Sequence, residues 1–543
     1  MPRSMSPASP RFTYLLTHLV EQAADADPDH IALRYRGESL TYGGLWERAS
    51  ALAHALIEDG VQPGDRVGIL LQKSFDSAVA LYGIMAAGAV YVPLDAGSPA
   101  SRIAFVVRDC GITRLVSEPR SLPTLIELRE VGVAIDTVFG IDDAGGAPFA
   151  TIGWAEVATR PSTPPRIRTT EQDLCYILYT SGSTGTPKGI MHTHRSALAW
   201  AEVTAAEYEL TRSDIISNYA PLHFDLSTLD YFGGARAGAT VVIIPEEYTR
   251  FPASLAALIA DERMTVLYTV PLALVRLATP GTLDGKDFSS LRLVLFGGEP
   301  MPIKHLRRMM SHLPWAQFVN VYGPTETNGC THYRVRTMPD EHDLGLPIGQ
   351  PYPNVSVRVV DADGSPVEVG GAGELLVRAP TMMRGYWARQ DLNEGAFVHV
   401  PGVGGTVEVY HATGDLVSPT ADGELAYMGR RDRQIKARGN RVELDEVEAV
   451  LLDHPSVYEA AVYALADAEG SLQPHAEVIL TPGSSATTTE LRAHASGALP
   501  SYAVPASISV REGFPRTSTG KIDRRRMQDD ARARGAEMGG SQA

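Results

Sequence analysis

Apolar runs and amphipathic stretches take turns along this chain. Leu40 to Gly60, LTYGGLWERASALAHALIEDG, reads as the end of a strand and then an amphipathic helix stopped by glycine. Arg66 to Leu71 predicts a short buried strand. Asp76 to Gly88 predicts a helix with Asp76 as its cap, and Ala89 to Leu94 predicts another strand. The same grammar returns in TVVIIP, MTVLYTV and LRLVLFGG. Strands written as continuous apolar runs between helices imply mainly parallel sheets covered on both faces. Near GRRDRQIKARGNRVELDEVEAVLLDHP a basic stretch leads into an acidic amphipathic helix from about Glu443. Leu444, Val447, Val450 and Leu451 share one face of it. A domain boundary is expected at Arg431 and Asp432, giving domains 1–431 and 432–543.

The chain has 543 residues, enough for several cores. Hydrophobic content of 44% with 21% charged residues is that of a globular protein in water. The N-terminal MPRSMSPASPRF has no apolar signal core, and no stretch reaches the length of a membrane span. Cys110, Cys175 and Cys330 are scattered and match no metal or disulfide pattern, so a cytoplasmic location is expected. The net charge of −16 argues against a general nucleic-acid binder.

One stretch breaks the grammar. YTSGSTGTPKGI, Tyr179 to Ile190, follows the apolar run Leu174 to Leu178. It does not have the P-loop order. Its glycines, hydroxyls and Lys188 would suit a phosphate, because glycine lets backbone N–H groups approach an anion. A plain linker has the same composition. Further along, NVYGPTE (Asn320 to Glu326) offers an aromatic face at Tyr322 and a carboxylate at Glu326 suited to a phosphate-bridging metal ion. YHATGDL sets Asp415 after a glycine, in the chemistry that bonds ribose hydroxyls. GRRDRQIKARGNRVE and RTSTGKIDR add lysines at two turns.

In this order the pieces resemble the adenylate-forming superfamily, which includes the adenylation domains of nonribosomal peptide synthetases, acyl-CoA synthetases and luciferases. The resemblance runs from LTYGGL and AAGAVYVPLD to TGKIDR. It implies an α/β fold: a large N-terminal domain of stacked mixed sheets with helices, and a small mobile C-terminal α/β domain turning about a hinge at Asp432. It implies ATP and Mg²⁺ as cofactors. Thr180, Ser181, Gly182, Ser183, Thr184, Gly185 and Lys188 match the loop that clamps the triphosphate. Asn320 and Tyr322 match the adenine contacts, and Gly298, Gly323 and Tyr427 match further nucleotide-binding positions. Thr325 and Glu326 match the phosphate and magnesium contacts, and Asp415 and Arg430 the ribose positions. Lys521 matches the lysine that bridges the substrate carboxylate and the ribose during adenylation. Lys436 and Gly439 match the segment lining the pantetheine channel in the second half-reaction.

Asp225, in HFDLSTLDYF, matches the aspartate that amino-acid-activating members set against the substrate ammonium. The matching pocket positions are Leu226, Leu229, Tyr268, Leu295, Gly297, Val321, Gly329 and Cys330. None is charged, so charged side chains should be rejected. Three leucines and a tyrosine reduce the volume and two glycines return some. Tyr268 is expected to set the size limit, and a small neutral amino acid such as alanine or proline is expected. No carrier domain is recognised after Lys521, which leads to the expectation of a free-standing, monomeric ligase that loads a separate phosphopantetheine-bearing carrier protein. The basic stretches HLRRMMSH (His305 to His312) and DRRRMQ (Asp523 to Gln528) are candidate docking patches, or solvated helix faces. The acceptor is expected to be the phosphopantetheine thiol or an amine already on the carrier; an acyl- or aryl-CoA ligase and a non-catalytic nucleotide-binding relative are the alternatives.

Overall fold

The computed structural model describes residues 12–182, 186–340, 345–431, 433–516 and 522–539. The sites assigned to Ser183, Thr184, Gly185, Asp432 and Lys521 lie outside these residues. Two compact units emerge. One holds residues up to 96, 106–179 and 189–429; the other gathers 97–105 and 180–188 with 430–543.

Three sheets build the larger unit. The first runs, edge to edge, through Gln350–Pro351, Thr331–Val335, Gln317–Tyr322, Leu293–Gly297, Val266–Thr269, Ile215–Asn218, Thr240–Ile243, Ile31–Tyr35 and Glu38–Thr41. Its centre is parallel. Its edges are antiparallel. The second sheet has Arg66–Leu70 between Val90–Pro93 and Arg114–Ser117, all parallel. The third, built on Ser356–Val360, Gly373–Arg378, Val407–Pro419 and Phe397–Pro401 in that spatial order, is antiparallel. Parallel strands fully buried between helices give the continuous apolar runs legible in the sequence. The antiparallel sheet reads as an alternating pattern instead, with His411, Thr413, Asp415 and Val417 buried and the residues between them partly exposed. The sheets are therefore mixed.

The helices follow the predicted periods with small shifts at their ends. Tyr42–Glu58 begins after Thr41, whose side chain accepts from the Gly44 N–H. The helix expected from Asp76 starts one residue earlier, at Phe75, and Ser74 caps it through a reciprocal bond pair with Ser77. Asp76 instead sits in the first turn and pairs with Arg48 at 2.5 Å. Both placements suit a carboxylate near a helix N-terminus, but only one residue has the extended backbone that a cap needs.

In the smaller unit, Gln434–Ala437 and Asn440–Glu443 form a hairpin with Lys436 opposite Arg441. Its two-residue turn puts Arg438 and Gly439 at φ 53° and 82°, the left-handed pair that such turns require. Val457–Ala466, Leu472–Leu480 and Ser507–Val510 make a three-stranded sheet. Val447 and Leu451 of helix Leu444–Leu452 pack into its core with Val462, Val478 and Leu491. The acidic residues of that helix are not simply a solvated face. Glu446 is buried and pairs with Arg102 at 2.7 Å; burial pushes its carboxyl up, and Arg102 opposes the shift. Glu448 accepts from Arg433 at 3.0 Å and from Arg524 at 3.1 Å. Arg524 of the DRRRMQ stretch is thus committed to an internal ion pair. Among the described residues no helix is long and apolar enough to cross a membrane.

Candidate functional site

The parallel strands Val266–Thr269, Leu293–Gly297 and Gln317–Tyr322 bring distant motifs together in the larger unit. Tyr268 stands beside Leu295, and Gly297 beside Val321. Their carboxyl ends open at one edge of the sheet, where doubly wound folds bind their ligands. From that edge the chain leaves Tyr322, turns through Gly323 to Gly329, and returns antiparallel as Thr331–Val335. The Cys330 N–H donates to the Tyr322 carbonyl at 2.8 Å and closes the turn.

The turn presents its groups in fixed positions. Asn320 donates from its amide to the Pro347 carbonyl at 2.9 Å. Glu326 is 2% exposed, and its carboxylate accepts from the Tyr386 hydroxyl at 2.8 Å. Its backbone carbonyl accepts from the Met383 N–H at 2.7 Å. Thr325 is held by His192, whose Nε2 lies 3.0 Å from the Thr325 carbonyl. A carbonyl only accepts, so Nε2 carries the proton and Nδ1 accepts from Ser196, 3.2 Å away. Burial lowers the His192 pKa to about 4, which keeps the ring neutral in this arrangement.

Asp415 reaches the same region from the third sheet. Its strand changes register against Gly373–Arg378 between Glu374 and Leu376. Such an irregularity re-aims side chains. The Gly414 N–H donates to Glu374, and the Asp415 N–H to the Thr413 hydroxyl. The Asp415 carboxylate is buried and accepts from the Tyr322 hydroxyl on one oxygen and from Tyr427, at 3.5 Å, on the other. Burial, and then the Asp415 charge, push Tyr322 well above the ordinary tyrosine range, so it stays a donor. Tyr322 is therefore an anchor for a carboxylate as well as an aromatic surface.

Asp225 lies half-buried just before a π-helical turn, Leu229–Gly233. Such turns are frequent at functional sites. Its carbonyl accepts from the Thr228 N–H and hydroxyl, which fixes the loop. Its carboxylate is near enough to Tyr268 and Tyr176 to raise both hydroxyls further after burial has done so. Tyr268 and Leu229 join Leu295 and Val321 in one buried cluster, with Leu226 packed against it. The sequence reading of the two glycines changes here. A Cβ on Gly297 would lie 2.2 Å from the Val321 carbonyl oxygen, so glycine there permits strand contact and yields no room. A Cβ on Gly329 would lie 2.2 Å from the Trp200 ring. Cys330 is fully buried, which pushes its thiol up to about 12.

Most of the remaining matched residues belong to the smaller unit. Thr180 ends the strand Leu174–Thr180, and Lys188 begins Lys188–Thr193. The Thr180 hydroxyl is buried without a hydrogen-bond partner among the described residues. The Ser181 hydroxyl donates to the Arg441 carbonyl at 2.7 Å. Gly182 lies against the Thr186 carbonyl. Gly298, with φ 96°, follows the strand that carries Gly297, and Arg430 ends the strand that carries Tyr427. Trp200, His192, Tyr352 and Tyr386 were not recognised in the sequence. His192 follows the glycine-rich loop closely and could have been suspected there; the three aromatics carry no motif.

The profile of the AMP-binding enzymes matches residues 20–387, and that of the AMP-binding enzyme C-terminal domain matches residues 446–521. An L-proline--[L-prolyl-carrier protein] ligase of Streptomyces coelicolor is 37% identical over 92% of this chain and 93% of its own length. A ligase of the same description from Pseudomonas fluorescens is 34% identical over 92% of this chain and 95% of its own. The solved structure of the amide bond synthetase McbA from Marinactinospora thermotolerans is 26% identical, with a TM-score of 0.82 over 95% of this chain and 99% of that one. With a family profile over most of its length and relatives more than 30% identical along nearly all of it, the chain belongs to the AMP-binding enzymes.

Proposed function

We propose that this protein activates L-proline as prolyl-AMP and passes the prolyl group to the phosphopantetheine thiol of a separate carrier protein. The single observation that carries the amino-acid reading is Asp225, a half-buried carboxylate whose charge acts on Tyr268 in an apolar cluster with Leu229, Leu295 and Val321. A carboxylate there pairs with an ammonium, and an acid without an amine would leave it poorly matched. The choice of proline rests on the names of the two ligases and on the small apolar lining. A cytoplasmic monomer with ready access to ATP suits this activity.

In the first step a carboxylate oxygen of the amino acid attacks the α-phosphorus of ATP. The bond to pyrophosphate breaks, and the acyl-adenylate forms. Asp225 orients the amine, Asp415 accepts from the ribose hydroxyls, and Lys521 offsets charge that develops between the carboxylate and the phosphoryl group. The loop from Thr180 to Lys188 holds the leaving pyrophosphate. Glu326 is a buried carboxylate within the turn, which fits Mg²⁺ bound mainly by phosphates and water. When bound, the ion would neutralise phosphate charge. In the second step the thiolate attacks the acyl carbon, and the carbon–oxygen bond to AMP breaks. The turn around Lys436 and Gly439 is assigned to the pantetheine path.

Amino-acid-dependent ATP–pyrophosphate exchange tests the reading. Proline should exchange most strongly and alanine less, with no exchange for lysine or aspartate. The same preparation should load a phosphopantetheinylated carrier in preference to free coenzyme A. Exchange independent of amino acids, or driven best by a charged one, would overturn it. A second measurement tests the Asp415 anchor. Tyr322→Phe removes one hydrogen bond to the carboxylate, worth about 1 kcal/mol net, and should raise the KM for ATP roughly fivefold. The KM for proline should hardly move. An unchanged KM for ATP would show that Tyr322 does not position Asp415 for the nucleotide.

A further inference from the structure

The space that Gly329 leaves open is filled by an indole. A Cβ built on Gly329 meets Trp200 Cη2 at 2.2 Å, Cζ3 at 2.6 Å and Cζ2 at 3.2 Å. The far edge of the six-membered ring thus stands where a side chain at position 329 would begin. Trp200 is 2% exposed and belongs to the same buried cluster as Leu229, Tyr268, Leu295 and Val321. It comes from the helix His194–Glu207, far from the strands that supply the other side chains.

The indole is held in place from behind. Tyr352 meets it edge-on, with ring centres 5.6 Å apart and planes at 89°. The Tyr352 hydroxyl bonds to that of Tyr208, and its ring stacks on His332 at 4.4 Å. The Tyr352 N–H donates to the Cys330 carbonyl at 3.1 Å, tying this aromatic group to the residue after Gly329. Glu207, on the helix of Trp200, accepts from Arg334 at 2.9 Å. Close-packed aromatic neighbours leave the indole no second position without moving them.

We propose that Trp200 closes the inner end of the amino-acid side-chain pocket and is a specificity-determining residue of this enzyme. The inference rests on the amino-acid-activating function proposed above. The glycine at 329 admits the tryptophan and adds no depth for substrate, so the pocket suits a five-membered ring. A ring one methylene larger is excluded by the indole.

Trp200→Leu in the full-length protein tests this by pyrophosphate exchange with proline and piperidine-2-carboxylate. The ratio of kcat/KM should shift toward the larger ring by at least ~10-fold, the scale of one methylene in a fitted pocket. The KM for ATP should stay unchanged. Adding Gly329→Val to Trp200→Leu should refill the space and restore the preference for proline. Should Trp200→Leu fail to fold by thermal melting, Trp200→Phe replaces it, with a smaller shift in the same direction. A folded variant with an unchanged ratio, or one that loses both substrates equally, would overturn the proposal. Wild-type protein with no amino-acid-dependent exchange would overturn the function itself, so the two failures are told apart by the wild-type control.

Discussion

Asp225→Ala should lower kcat/KM for proline by about 10²-fold or more while leaving the KM for ATP nearly unchanged. Breaking a buried charge pair by removing one partner costs about 3–5 kcal/mol, and half-burial places Asp225 toward the lower end. The penalty falls on the amine because the orphaned charge is then the substrate's own. The charge of the carboxylate acts on two buried tyrosine hydroxyls, Tyr268 and Tyr176, and raises both after burial has done so. Its removal relieves them and should not unfold the loop, which is fixed by the Asp225 backbone carbonyl through Thr228. An acid of the same ring size without the amine, cyclopentanecarboxylate, should gain relative to proline in the variant. Exchange kinetics with both substrates read this directly. Wild-type preference in Asp225→Ala would remove the ground for an amino acid substrate.

Lys521→Ala should slow adenylate formation by ~10²–10³, the usual loss when one preorganised donor to a developing negative charge is removed. The lysine enters through its match in TGKIDR, so kinetics decide its role. Transfer from chemically prepared prolyl-AMP to the carrier should be much less affected, because no phosphoryl group is transferred in that step. Single-turnover measurements of the two half-reactions separate them. Equal loss in both would mean that the lysine supports the fold of the smaller unit and has no special part in adenylation.

The residues proposed for the nucleotide side could be nominated from sequence because the chemistry asked of them is local. A phosphate loop needs glycines, hydroxyls and a lysine within a few residues, and YTSGSTGTPKG carries them together. The YGPTE turn likewise carries its own groups, and its closing bond runs from Cys330 back to Tyr322. Strand and helix periods were legible for the same reason, since each is set by neighbours along the chain. Local patterns blurred where two polar residues competed for one cap. Ser74 and Asp76 can both cap a helix, and the extended backbone at Ser74 decided between them.

The amino-acid side was read by position, and its physical content came from the tertiary structure. Two glycines looked like added volume. Gly297 is instead demanded by the Val321 carbonyl, and Gly329 by the Trp200 ring. The commitment of Arg524 to Glu448 changed the reading of the DRRRMQ stretch in the same way. By itself the sequence determined that this chain is an α/β adenylate-forming enzyme, and its motifs nominated the residues assigned to phosphate, ribose and amine. Only the tertiary structure decided what those residues touch and which side chains pack against Gly297 and Gly329. A pocket's shape is the sum of side chains brought from separate helices and strands, and close packing across those elements leaves no trace in the order of neighbouring residues.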